Sequence, residues 1–150
     1  MTATQEIIAA LLRQHTPVSF RAGGASMNPT IRDGESVFIR PFSEGAIPLG
    51  SVILYIIYGR ITVHRCIFNE KRTNRVYTVG DAAVEGGDWV PVSDILGVAE
   101  SVCRNGKTRR LDTRRARWAG MLRYALRPLR RALWNFRQTH HAQTPDRWWS

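Results

Sequence analysis

The chain has 150 residues and a formal net charge of +10, enough length for one domain with a buried core. No run of about 18 or more apolar residues occurs, which excludes a hydrophobic helix of bilayer-spanning length. The two cysteines, Cys66 and Cys103, form neither a disulfide framework nor a zinc-binding spacing.

From the N-terminus, "MTATQEIIAALLRQH" predicts an amphipathic helix with Ile7, Ile8, Leu11 and Leu12 on one side and a Thr2–Gln5 capping box. Glu6 within it and the lack of a basic start argue against a signal peptide, so the cysteines are expected to be reduced in the cytoplasm. "PVSFRAG" then alternates through Val18, Phe20 and Ala22 as a strand. The turn "GASMNPTI" follows, in which Gly24 frees the backbone and Pro29 biases Asn28 away from helix. "SVFIR", "SVILYIIYG", "RITVHRCIF", "RVYTVG" and "ILGVAESV" are further predicted strands, the last at 95–102. The loops "PFSEGAIPLG" and "EKRTN" lie between them. The expected fold is mainly β: a compact, coiled, barrel-like sheet with a short N-terminal helix.

The charge divides unevenly along the chain. Residues 1–103 hold nine Arg or Lys and ten Asp or Glu, a net of −1; residues 104–150 hold thirteen basic and two acidic residues, a net of +11. The reading is therefore a β domain over 1–103 and a basic helical tail over 104–150. In the tail, Trp118, Leu122, Ala125, Leu129, Ala132, Leu133 and Phe136 recur at steps of three and four. Arg123, Arg127, Arg130, Arg131 and Arg137 fall on the other side, and Pro128 is expected to kink or break the helix. Either the stripe packs on the domain, or it meets an anionic membrane surface or an acidic partner. Nucleic acid is disfavoured because no recognition motif accompanies the arginines. The end, "TPDRWWS", is read as loose.

The candidate chemistry centres on Ser26. A serine hydroxyl is a weak nucleophile and needs a base beside it. Lys71 lies in a polar loop and Lys107 in the tail, and His15, His140 and His141 lie outside the β domain or at its edge. His64, in mid-strand, is the histidine able to meet Ser26 across a barrel. A third group must orient the imidazole, and "TVGDAAVEGGDWVPV" offers Asp81 and Asp88. Asp81, directly after Gly80 at a strand end, is expected to matter more than Asp88, which follows Gly86-Gly87. No metal-ligand spacing is present, and no cofactor is expected.

At these residues the sequence resembles the signal peptidase I superfamily, in its Ser-His branch of archaeal, endoplasmic-reticulum and sporulation type. The resemblance spans about residues 22 to 102 and rests on "GASMNPTI" with "RDGESV", then "VHRCI", "YTVGD" with a second Asp, and "ILGVAE". It implies a coiled β fold and a serine peptidase that cleaves a peptide or leader. Ser26 would be its nucleophile and His64 its general base, with Asp81 and Asp88 assisting. Gly24, Ala25 and Met27 would surround the oxyanion and substrate. The chain departs from the family at Gly34-Glu35 and Gly50-Ser51, where Gly-Asp is usual, and in lacking the usual membrane anchor. Two rivals stand beside this reading: an inactive peptidase-fold module that binds peptides, and an autoprotease of the LexA type. The latter is disfavoured by the missing helix-turn-helix segment and the missing usable lysine.

Overall fold

A computed structural model describes residues 1–141, with side chains through Arg137; "TPDRWWS" lies outside the described residues. Helix α1 (Ala3–Arg13) opens with the expected box: the Thr2 hydroxyl accepts from the Gln5 N–H and the Gln5 side chain accepts from the Thr2 N–H, both at 3.3 Å. Its buried face is turned from the expected one. Ala9 and Leu12 are fully buried, Ile8 and Leu11 flank them, and Ile7 faces out.

The strands are β1 (Val18–Arg21), β2 (Ser36–Pro41), β3 (Val52–Ile57), β4 (Arg60–Glu70), β5 (Arg75–Val79), β6 (Asp88–Pro91), β7 (Ile95–Arg104) and β8 (Lys107–Arg110). They form one antiparallel sheet in the order β1-β2-β7-β3-β4-β5-β6, curled into a half-barrel, with β8 paired to β7. Strand β3 explains its own composition. Val52 and Leu54 enter one apolar cluster, shared with α1, β1 and β2, while Ile53 and Tyr55 enter a second one with Cys66, Val76 and Val90. A strand buried on both faces reads as a continuous apolar run rather than an alternating one.

Two strands were not expected from the sequence. Strand β6 is a four-residue edge that contains Trp89 and ends in Pro91. Strand β8 is wholly exposed and basic, and its backbone ladder with β7 holds it. The β7–β8 connection is Asn105-Gly106, both with positive φ (50° and 75°), the residue pair that a tight two-residue hairpin requires. This corrects the domain boundary at 103/104. The charge changes there, but the sheet continues through β8, and Leu111 beyond it is buried in the main cluster.

Helices α2 (Arg114–Ala125) and α3 (Arg127–His141) complete the described chain. Their junction at Leu126 sits two residues before Pro128, whose ring removes a backbone donor. Their polar side, rather than the apolar stripe, faces the sheet. Arg123 donates to Thr30 Oγ1 at 2.8 Å, Arg127 to the Gly86 carbonyl at 2.9 Å and Arg130 to the Asp81 carbonyl at 3.0 Å. Trp118, Leu122, Leu126, Leu129 and Leu133 point outward. Among the described residues no helix is long and apolar enough to cross a membrane.

Candidate functional site

The Ser26 turn is held from both sides. Gly24 adopts φ +89° and donates its N–H to Asp33 Oδ1 at 2.8 Å, and the Ala25 carbonyl accepts from the Asn28 N–H at 3.0 Å. Met27 and Thr30 are buried beneath the turn while Ser26 itself is exposed. Buried neighbours therefore fix the backbone of a serine whose hydroxyl stays open to solvent. Among the described residues, nothing accepts from the Ser26 N–H, and its carbonyl accepts from the Ala82 N–H at 2.9 Å. Arginines from later in the chain brace the same turn: Arg104 pairs with Glu35 and donates to the Pro29 carbonyl, and Arg109 donates to the Thr30 carbonyl.

His64 sits on β4 opposite Ile53 of β3. Gly80, after β5, lies between it and the serine turn. A Cβ at Gly80 would stand 2.7 Å from the Ser26 carbonyl oxygen and 3.3 Å from His64 Nε2. The Ser26 backbone and the Nε2 edge of the imidazole thus converge on one point that a larger residue would obstruct. The Ser26 hydroxyl makes no direct hydrogen bond to His64; such contacts often tighten only once substrate binds. Burial holds the His64 pKa below its ordinary value, opposed by the carboxylates of Asp88 and, less strongly, Asp81. The neutral imidazole, the form that accepts a proton, is thereby favoured near neutrality.

The two aspartates occupy different places. Asp88 Oδ2 is 3.9 Å from His64 Nδ1. Asp81, expected to be the principal partner of His64, is instead buried against Arg65, accepting from Nε at 2.7 Å and from Nη2 at 2.6 Å. It also accepts from the Thr30 hydroxyl and, at 3.3 Å, from Arg123. Its carboxylate ties β4, the serine turn and α2 together. The neighbour of the imidazole is Asp88, which reverses the expected order.

Sequence reasoning passed over Tyr55, Thr78 and Arg65. The Tyr55 hydroxyl lies 3.1 Å from His64 Nδ1 and 2.9 Å from Thr78 Oγ1, and Thr78 donates to the Asp88 carbonyl at 3.3 Å. Burial pushes the Tyr55 pKa up to about 12, so the phenol keeps its proton. A tyrosine in the otherwise aliphatic β3 and a threonine between the apolar residues Tyr77 and Val79 of β5 were the available signal. A groove of about 610 Å³ opens beside Ser26, walled by Ile8 of α1, Phe20 and Ala22 at the end of β1, and Ile61 and Val63 of β4. Among the described residues no cluster of His, Cys, Asp and Glu is suited to hold a metal. In comparisons with known proteins, the chain matches no family model and no curated protein.

Proposed function

We propose that the protein is a serine endopeptidase of the signal-peptidase type, with Ser26 as nucleophile and His64 as general base. The observation that carries this reading is the convergence at Gly80, where the backbone of an exposed serine meets the Nε2 edge of a neutral-favoured imidazole. Ser26 Oγ attacks the substrate carbonyl carbon as its proton passes to Nε2. The tetrahedral intermediate then collapses, the C–N bond breaks, and the imidazolium returns the proton to the departing amine. Water, deprotonated by the same nitrogen, hydrolyses the acyl ester and frees Ser26. The unengaged Ser26 N–H is a donor for the oxyanion. The Asp88 carboxylate favours the imidazolium that forms. Substrate adds as a strand at β1, which among the described residues is paired only with β2, and its side chains enter the apolar groove.

The test is covalent labelling of the full chain by a serine-directed phosphonate, together with a peptide-library cleavage assay. Label on Ser26, and loss of cleavage by roughly 10²-fold or more in Ser26→Ala and in His64→Ala, are expected. The double variant should be little worse than either single one, because the two side chains act as a unit. No label and no cleavage from a folded protein that still binds peptides would overturn the enzyme and leave a peptide-binding module.

We infer further that the enzyme works in the cytoplasm, peripherally at an anionic membrane. Free Cys66 and Cys103 suit a reducing compartment. The supporting feature is the outward apolar stripe of α2 and α3 beside Arg114, Arg115 and Arg137, which are exposed and bond to nothing among the described residues. Trp and Leu beside unpaired arginines match the chemistry of a headgroup boundary.

A further inference from the structure

Behind His64, on the side away from Ser26, runs a buried line of hydroxyls. From His64 Nδ1 it passes to the Tyr55 hydroxyl at 3.1 Å, to Thr78 Oγ1 at 2.9 Å, and ends on the Asp88 backbone carbonyl at 3.3 Å. Tyr55 and Thr78 are both fully buried, so water cannot stand in for a missing partner. The ends of this line decide its direction. A carbonyl only accepts, so the single Thr78 hydroxyl proton points at Asp88. Thr78 then offers Tyr55 a lone pair, as does the Asp88 carboxylate, which also hydrogen-bonds the phenol, and Tyr55 spends its one proton on that side. Toward His64, Tyr55 has only a lone pair left. Nδ1 must therefore carry the N–H, and Nε2 is bare. The opposite direction, with Tyr55 donating to Nδ1, draws the Thr78 proton back to Tyr55 and leaves two acceptors facing each other at Asp88.

We infer that Tyr55 and Thr78 are positioning residues that hold neutral His64 in its Nδ1–H tautomer, leaving the Nε2 lone pair aimed at Gly80 and the Ser26 turn. The purpose of that bare nitrogen rests on the peptidase reading; the tautomer itself does not. Asp88 acts at two points here. Its carbonyl polarises the hydroxyl line, and its carboxylate, 3.9 Å from Nδ1, faces the charge once the ring is protonated. The charged or titratable groups facing the ring are Asp88 from β6, Asp81 after β5 and Tyr55 from β3.

The decisive measurement is nitrogen-15 NMR of the full chain labelled at histidine, at a pH where the imidazoles are neutral, with His64 assigned by its loss in His64→Gln. Wild type is expected to show His64 protonated on Nδ1. Tyr55→Phe and Thr78→Val should shift it toward Nε2–H, while Thr78→Ser, which keeps the hydroxyl, should retain the wild-type tautomer. In a cleavage assay, Tyr55→Phe should lower kcat by at least about tenfold with KM unchanged, within the roughly 10²–10⁴ that a general base is worth. A wild-type His64 that carries Nε2–H overturns the inference without any variant needing to fold. So does an Nδ1–H tautomer that persists in Tyr55→Phe. The Nδ1–H tautomer in a chain that cleaves nothing and takes no serine-directed label would sustain this inference and sink the peptidase reading alone.

Discussion

Removing the Asp81 charge and removing the Asp88 charge are expected to fail in different assays. Asp81→Asn leaves the Arg65 guanidinium buried without its counter-ion, a change that costs about 3–5 kcal/mol when a buried pair loses one partner. Its effect should appear as a lowered Tm. Asp88→Asn leaves the fold intact but removes the nearer of the two carboxylates that favour the imidazolium, so kcat should fall by about tenfold or more. The pH profile separates the two further. A base acts when neutral, and burial lowers the His64 pKa, so the acid limb of kcat/KM should lie below the 6.5 of an ordinary histidine. Asp88 works against that shift, and its loss should move the limb lower still. A greater loss of activity in folded Asp81→Asn than in Asp88→Asn would restore the order expected from sequence. Which aspartate lies beside the imidazole was not legible, because both follow glycine in turns. What distinguishes them is Arg65, which stands opposite Val79 across the β4–β5 ladder and reaches Asp81 only through that register. Ser26 and His64 were legible because a glycine-proline turn and a polar residue within an apolar strand are local patterns.

Strands and helices were readable wherever their own side chains provide the packing. Helix α1, with its cap, and strands β1 to β5 and β7 bury apolar residues in regular patterns, and each was expected. Strand β8 buries none of its side chains, so hydropathy could not find it; the Asn105-Gly106 pair was its signal. The contribution of α2 was hidden as well, because an arginine and a glycine dock it. Gly120 lies directly on the Arg65 guanidinium, where any Cβ would collide. Residues 104–125 are thus structural, contrary to a reading of everything past 103 as an appendage. A chain ending at Cys103 is expected to lose its cooperative thermal transition, since it takes Leu111 out of the main apolar cluster and strips Arg104, Arg109 and Arg123 from the serine turn. A chain ending at Leu126 keeps all of these and should unfold cooperatively near the full-length Tm. If the 1–103 chain unfolds as cooperatively as the intact protein, β8 and α2 are dispensable after all.

At the scale of the whole molecule, eight arginines of the basic surplus divide between two separate destinations. Arg104, Arg109, Arg123, Arg127 and Arg130 turn inward to carbonyls and carboxylates around the serine turn and the 81–86 loop, where they act as struts. Arg114, Arg115 and Arg137 stay outside beside the stripe of Trp118, Leu122, Leu126, Leu129 and Leu133. An amphipathic helix that spends its polar face on its own domain leaves its apolar face for something else. With cations at its border, that surface suits anionic lipid better than a neutral protein groove. The full chain is therefore expected to float with vesicles containing anionic phospholipid and not with neutral ones. Added salt should weaken the binding, because the exposed arginines act through a screened field. Leu129→Ser with Leu133→Ser should reduce partitioning by at least roughly tenfold, given about 1.5–3 kcal/mol for each fully buried leucine side chain. The same variant should keep wild-type Tm and soluble-peptide cleavage, since both side chains point away from the sheet. If anionic vesicles leave the protein unbound, and the double substitution instead turns a dimer into a monomer by sedimentation, the stripe is an interface between copies of this chain.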